Sequence, residues 1–115
     1  MMKKKLIIIA LFFGILIIAA GCGKNYDSFA QCLTEKGAAM YGADWCTHCQ
    51  EQKKMFGSSF KYVDYVNCDF NEGECIKKGI KGYPTWIINE TDYRGVQSLQ
   101  KLGYLTGCKP GQDMN

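Results

Sequence analysis

Trp45-Cys46-Thr47-His48-Cys49 lies between a short apolar run and an amphipathic segment. Two cysteines separated by two residues can close a small disulfide ring or hold two thiols side by side. When such a pair opens a helix, its first sulfur lies beside unsatisfied backbone N–H groups and the positive end of the helix dipole. Both favour thiolate over thiol, and the thiolate is the species that attacks disulfides. Cys46 is therefore the expected nucleophile, and Cys49, one turn further in and more buried, the expected resolving thiol. Trp45 is expected to pack beside the pair, exclude water and contact the substrate.

The neighbouring segments supply a frame for that pair. Ala38-Ala39-Met40-Tyr41 suits a buried strand, Gly42-Ala43-Asp44 turns the chain, and a helix is expected over Cys46 to Phe56, with Gly57 just beyond it. Upstream, Asp27 or Ser28 can cap a helix through Phe29, Cys32 and Leu33 that ends at Gly37. Downstream, Lys61 to Asn67 is rich in β-branched and aromatic residues and reads as a second strand. A short helix near Glu74 to Lys78 is stopped by Gly79, and Pro84 to Asn89 is a third strand. Asn89-Glu90-Thr91-Asp92 makes a turn into a fourth strand, Tyr93 to Val96. Ser98 caps a last helix, Leu99 to Leu105, closed by Gly107. Strand–helix–strand units imply parallel pairing, and the final hairpin adds antiparallel strands. The expected class is α/β, a four-stranded mixed sheet flanked by helices.

At 115 residues the chain has room for one domain. Three of its fourteen basic residues are Lys3, Lys4 and Lys5, which leaves eleven basic against eleven acidic residues in the rest. A nucleic-acid binder carries a basic face on its folded part, so that class drops out. The three lysines precede fifteen apolar residues, Leu6 to Ala20, the pattern of a secretory signal and short for a spanning helix. Ala19-Ala20-Gly21-Cys22 resembles a bacterial lipobox, with alanine at position 19 where a larger aliphatic residue is usual. Lipidation at Cys22, an uncleaved anchor and simple secretion are the three readings, and each puts the domain outside the cytoplasm. The expected organisation is a signal or anchor over 1–21, a linker over 22–27, the domain over 28–107 and a tail over 108–115.

Seven cysteines in so small a chain suit an oxidising compartment. Lipid on Cys22 would leave an even six. Cys68 and Cys75 bracket a short polar loop that a structural disulfide would close. Cys32 and Cys108 are then left. Pairing them would staple the two ends of the domain, but six cysteines allow fifteen connectivities and the sequence does not choose. The alternative is that one of the two relays electrons to a membrane partner. CxxC can also be half of a zinc site with Cys68 and Cys75 as the other half, although the six-residue gap between those two is wide for a zinc knuckle.

A strand leading into a helix-opening CxxC, followed by a proline-led hairpin, resembles the thioredoxin fold. More narrowly, Phe29 to Leu105 resembles the thioredoxin-like domain fused to bacterial and plant homologues of vitamin K epoxide reductase. The shared features are Cys32, the stretch Tyr41 to Cys49, Gln52-Lys53-Lys54 with Phe56-Gly57, Cys68 and Cys75, Gly82-Tyr83-Pro84-Thr85-Trp86, and Gly95-Val96-Gln97-Ser98-Leu99. The multi-helix membrane enzyme itself has no counterpart here, since the sequence carries one apolar segment. The resemblance implies a thiol–disulfide oxidoreductase acting on protein thiols and disulfides, tethered to the membrane and served by a membrane redox partner of the vitamin K epoxide reductase type. It implies no metal, and no cofactor beyond a redox-active disulfide between Cys46 and Cys49.

The resemblance also assigns roles around the pair. His48 stands where disulfide isomerases and periplasmic oxidases carry histidine, and its imidazole would stabilise the Cys46 thiolate; the bland alternative is an exposed helix residue. Reducing thioredoxins bury an aspartate six residues before the first cysteine, and this chain has Met40 there, with Glu51 a substitute only if it turned inward. Both features favour oxidation or isomerisation over reduction. Pro84 matches the cis-proline that faces CxxC in this fold, leaving the Tyr83 carbonyl and N–H to pair with a substrate strand. A trans-proline opening an edge strand is the alternative. The competing functions are a reductant of exported proteins and a non-catalytic module stapled by disulfides or zinc.

Overall fold

The computed structural model describes residues 25–111. The expected leader or anchor and the lipid-bearing Cys22 lie outside them. Among the described residues no helix is long and apolar enough to cross a membrane.

Helix α1 (Asp27–Glu35) turns Phe29, Ala30 and Leu33 inward, a stripe at helical spacing. Its cap differs from expectation. Tyr26 holds the N-cap position without a side-chain cap, and Asp27 is already helical. The oxygen comes instead from a distant loop: Ser59 Oγ accepts from the Tyr26 N–H at 2.9 Å and donates to Asp27 Oδ1 at 2.7 Å. That buried hydroxyl explains a second difference. Residues Gly57–Tyr62 form a 3-10 helix that takes in Lys61 and Tyr62, expected at the start of the second strand, because Ser59 is drawn under α1. Strand β2 is consequently short, Asp64–Asn67.

The remaining elements are β1 (Ala39–Gly42), α2 (Thr47–Phe56), α3 (Glu72–Lys77), β3 (Thr85–Ile88), β4 (Thr91–Arg94) and α4 (Leu99–Thr106). The sheet order is β2-β1-β3-β4, with β1 and β2 parallel and the other two pairs antiparallel. The mixed four-stranded α/β sheet is the expected class. The second crossover is not parallel as expected, because α3 is only six residues long and carries the chain around the end of the sheet. Gly42 and Asn67 end β1 and β2 side by side, and Thr85 enters β3 opposite Tyr41, at that same end. The chain therefore runs back down the free edge of β1. Asn89 and Glu90, both at positive φ, make the tight turn into β4, so Thr91 and Asp92 belong to the strand and not to the turn.

Alternation along β1 divides the core between two faces. Met40 joins Phe29, Leu33, Cys49, Phe56, Trp86 and Leu102 on one face. Ala39 and Tyr41 join Cys68 and Cys75 on the other. Helices α1, α2 and α4 contribute to the first cluster and α3 to the second. The two faces matter for the cysteines, because β1 stands between the pair at Cys46 and the pair at Cys68.

Candidate active site

The end of β1 delivers the chain into α2 through the turn at Asp44 and Trp45. Cys46 is the N-cap of α2, extended in backbone, and its sulfur accepts from the Cys49 N–H at 3.2 Å. A side chain at this position normally satisfies an orphan donor with oxygen; here a sulfur does so. Cys49, Gln52 and Phe56 form the buried stripe of α2. Both cysteines of the pair are free thiols. Cys46 keeps 7% of its surface exposed and Cys49 none, so the first can be reached from outside and the second cannot.

Because β3 starts at the end where β1 stops, the loop before it arrives beside Cys46. The Tyr83–Pro84 peptide is cis, and the Cys46 thiol donates to the Tyr83 carbonyl at 3.6 Å. Trp45, Cys46, His48, Ile80, Lys81 and Tyr83 line a groove of about 590 Å³ that passes over the sulfur. Trp45 is 68% exposed, meeting Tyr83 edge-on at 5.9 Å between ring centroids. It packs beside Cys46 as a wall of the groove, its outer side open. The imidazole of His48 is also at the rim, 71% exposed, with Nδ1 facing Glu51 Oε2 at 3.5 Å. Glu51 therefore turns outward and does not replace the inward carboxylate, and Met40 fills that space with no exposed surface.

Burial pushes the Cys49 thiol up to about 12, and its hydrogen bond and charge interaction with Cys46 add to the rise. The Ala43 backbone N–H and the charge of Lys53 oppose it. Gly42 is required beside this sulfur: a Cβ there would lie 2.7 Å from Cys49 Sγ. A side chain on β1 at that point would force Cys49 to shift.

The other cysteines are placed apart. Cys68 is bonded to Cys75 on the opposite face of the sheet, and the Cys68 N–H donates to the Gly42 carbonyl at 2.8 Å. They cannot join Cys46 and Cys49 around a metal without breaking β1. Among the described residues no group of three or more metal-ligating side chains is assembled. Cys32 is bonded to Cys108, tying α1 to the segment after α4. Gly103 admits that segment, since a Cβ there would lie 2.6 Å from the Cys108 carbonyl oxygen. Asp27, expected in the linker, opens α1, and Cys108, expected in the tail, is buried.

Sequence reasoning gave no role to Asp44, Lys53, Tyr65 or Gln52. Lys53 Nζ reaches Asp44 Oδ1 at 3.1 Å and sits 4.1 Å from the centre of the Tyr65 ring, whose hydroxyl donates to the same carboxylate oxygen at 3.0 Å. Gln52 is fully buried; its Oε1 accepts from Trp86 Nε1 at 2.9 Å and from the Gln97 N–H at 2.8 Å, while its Nε2 donates to the Gln97 carbonyl at 2.9 Å. The one available signal was spacing, which puts Lys53 one helical turn beyond Cys49 on the same face.

No family model matches the chain. Thiol-disulfide oxidoreductase LTO1 of Arabidopsis thaliana is 42% identical over 90 residues, covering 70% of this chain and 24% of that protein. Protein disulfide isomerase-like 2-2 of Oryza sativa subsp. japonica is 28% identical over 95 residues, covering 70% of this chain and 26% of its own length. A solved structure described as "Structure of a malarial protein" is 26% identical, with a TM-score of 0.47, covering 59% of this chain and 89% of that one. The chain spans about a quarter of the length of the curated relatives named here.

Proposed function

We propose that this chain, whose described residues form a thioredoxin-like domain, is an extracytoplasmic thiol–disulfide oxidoreductase acting on protein substrates in the oxidising or isomerising direction. The observation that carries the reading is the unequal placement of the two sulfurs. Cys46 caps α2 at the floor of an open groove, and Cys49 is sealed one turn behind it. The similarity to named thiol–disulfide oxidoreductases and disulfide isomerases supports it.

In the oxidising direction a substrate thiolate attacks Cys46 of the closed disulfide. The Cys46–Cys49 bond breaks, and Cys49 leaves and takes up a proton. A second substrate thiolate then attacks the substrate sulfur of the mixed disulfide and expels the Cys46 thiolate. The departing sulfur is received by the Cys49 N–H and the helix N-terminus. The Tyr83 carbonyl would offer a substrate strand a backbone partner beside the sulfur. Two features favour this direction: Met40 fills the site of the carboxylate that reducing thioredoxins bury, and His48 sits on the groove rim.

The N-terminal segment would hold the domain at the outer face of a membrane, by lipid on Cys22 or as an uncleaved anchor. A membrane protein of the vitamin K epoxide reductase type would then restore the Cys46–Cys49 disulfide. Equilibrating the protein against glutathione buffers tests the direction. A strongly oxidising potential supports disulfide donation, and a potential near those of reducing thioredoxins overturns it. In the same protein Cys46→Ser should abolish exchange, while Cys49→Ser should accumulate mixed disulfides with substrates. Failure to trap any would reject the division of roles.

A further inference from the structure

A lysine on a helix surface ordinarily leaves its ammonium group in water at the end of a mobile stem. Lys53 does not. Its Nζ is held by Asp44 at 3.1 Å, over the Tyr65 ring at 4.1 Å and near the Phe60 ring at 5.6 Å, and its side chain is only 26% exposed. The Tyr65 ring beneath it reaches in turn toward the buried sulfur. Cys49 Sγ and Tyr65 Cε1 flank the same point over Gly42, at 2.7 and 3.5 Å from where a Cβ would lie. Among the described residues no aspartate or glutamate is buried, so no carboxylate stands inside to take the Cys49 proton.

We propose that Lys53, fixed by Asp44 and Tyr65, is a positioning residue that supplies the positive charge beside Cys49 and thereby favours its thiolate when a mixed disulfide is resolved. This rests on reading Cys49 as the resolving thiol. The charged and titratable groups acting on Cys49 are Cys46 and Lys53 from α2 and Tyr65 from β2, with Asp44 and Asp69 acting on Tyr65 in turn. Of these, Lys53 alone lowers the cost of charge on Cys49. Hydrogen bonds from Lys53 and Tyr65 lower the Asp44 carboxyl from its ordinary value, so it anchors the lysine and is a poor proton acceptor. The step balances without an external oxidant. The Cys49 thiolate attacks the Cys46 sulfur, the bond from Cys46 to the substrate sulfur breaks, and the departing substrate thiolate takes the proton that Cys49 released.

Two readouts on the full-length chain test this. In a Cys46→Ser background, carbon NMR of labelled cysteine follows the Cys49 titration directly, its signal identified by its loss in Cys46→Ser/Cys49→Ser. Lys53→Met, which keeps the stem on Tyr65 and removes the charge, should raise that titration by about one pH unit, and Lys53→Arg should restore it. With Cys46 native and Cys22→Ser, release of glutathione from the Cys46–glutathione adduct should slow about threefold in Lys53→Met near neutral pH, since the more basic thiolate is scarcer but more nucleophilic, the gap closing at alkaline pH. An unchanged Cys49 titration in Lys53→Met overturns the proposal, whether or not the protein exchanges disulfides. A shifted titration with no glutathione release in any variant upholds the charge assignment and overturns the resolving role of Cys49.

Discussion

The backbone N–H of Cys49 donates to the sulfur of Cys46 at 3.2 Å, so the residue hidden behind the site also helps solvate the sulfur in front of it. Two thiols three residues apart thus have opposite surroundings. One sits at the positive end of a helix and opens to a groove; the other is enclosed by strand and helix. The inequality comes from backbone geometry, which makes it sensitive to a few neighbouring atoms.

Gly42→Ala should show that sensitivity. The added methyl would meet Cys49 Sγ at 2.7 Å, with Tyr65 close on its other side. Overpacking of this kind costs about 1–3 kcal/mol. Urea unfolding of the dithiol form should register that loss, and disulfide closure should slow. Unchanged stability would mean that Cys49 relaxes freely and that the contact is unimportant.

Gln52→Leu tests the polar knot that seats α2 against β3. It leaves the indole N–H of Trp86 and the backbone N–H of Gln97 without their acceptor, in a helix face that is fully buried. Each unsatisfied donor costs about 1–3 kcal/mol, so a combined loss of about 2–6 kcal/mol is expected in guanidinium unfolding. A loss below about 1 kcal/mol would show that water or a rearranged Gln97 loop replaces the amide.

The two structural disulfides should differ in weight. Cys32–Cys108 spans 76 residues and Cys68–Cys75 spans seven. Loop-closure entropy assigns them about 4.5 and about 2.4 kcal/mol. Replacing both cysteines of the long bridge with alanine should lower the unfolding free energy by roughly twice as much as the same change in the short one. A reversed order would mean that the short bridge acts mainly through the native packing of α3.

Alkaline pH should weaken the dithiol form through Cys49. Burial raises its thiol from the ordinary 9.0 to about 12 in the folded protein. Between those values the unfolded chain loses this proton and the folded chain keeps it, so stability is full below about 9 and falls as pH rises toward about 12. Tyr41 and Tyr65, both raised chiefly by burial, push the same way. Denaturation midpoints measured across this range, with both structural disulfides intact, should fall less steeply in Cys49→Ala. Equal slopes in the two proteins would remove Cys49 from the account.

Much of the frame was legible because it depends on local signals. Apolar spacing set α1 and α2, Ser98 and Gly107 bounded α4, and Asn89-Glu90 marked the hairpin. Lys61-Tyr62-Val63 misled because β-branched and aromatic composition reports fitness for a half-buried surface, not strand pairing itself. Ser59, drawn under α1 from 32 residues away, overrode it. Trp45 was legible as a neighbour of the pair, but only the fold shows it standing against Tyr83 as an open wall of the groove.

What the sequence determined by itself was the chemistry at hand: two cysteines one turn apart, at a point where a strand gives way to a helix. That follows from neighbouring residues alone, since an N-cap and an apolar period are local properties. The tertiary structure decided how the two sulfurs differ. It brought β3 back along the free edge of β1, so that the Tyr83 loop faces Cys46. It also pressed Cys49 against Gly42 and fixed Lys53 between Asp44 and Tyr65. Helical spacing sets Lys53 on the face of Cys49, but its fixing against Tyr65 and the desolvation of Cys49 depend on residues distant in the chain.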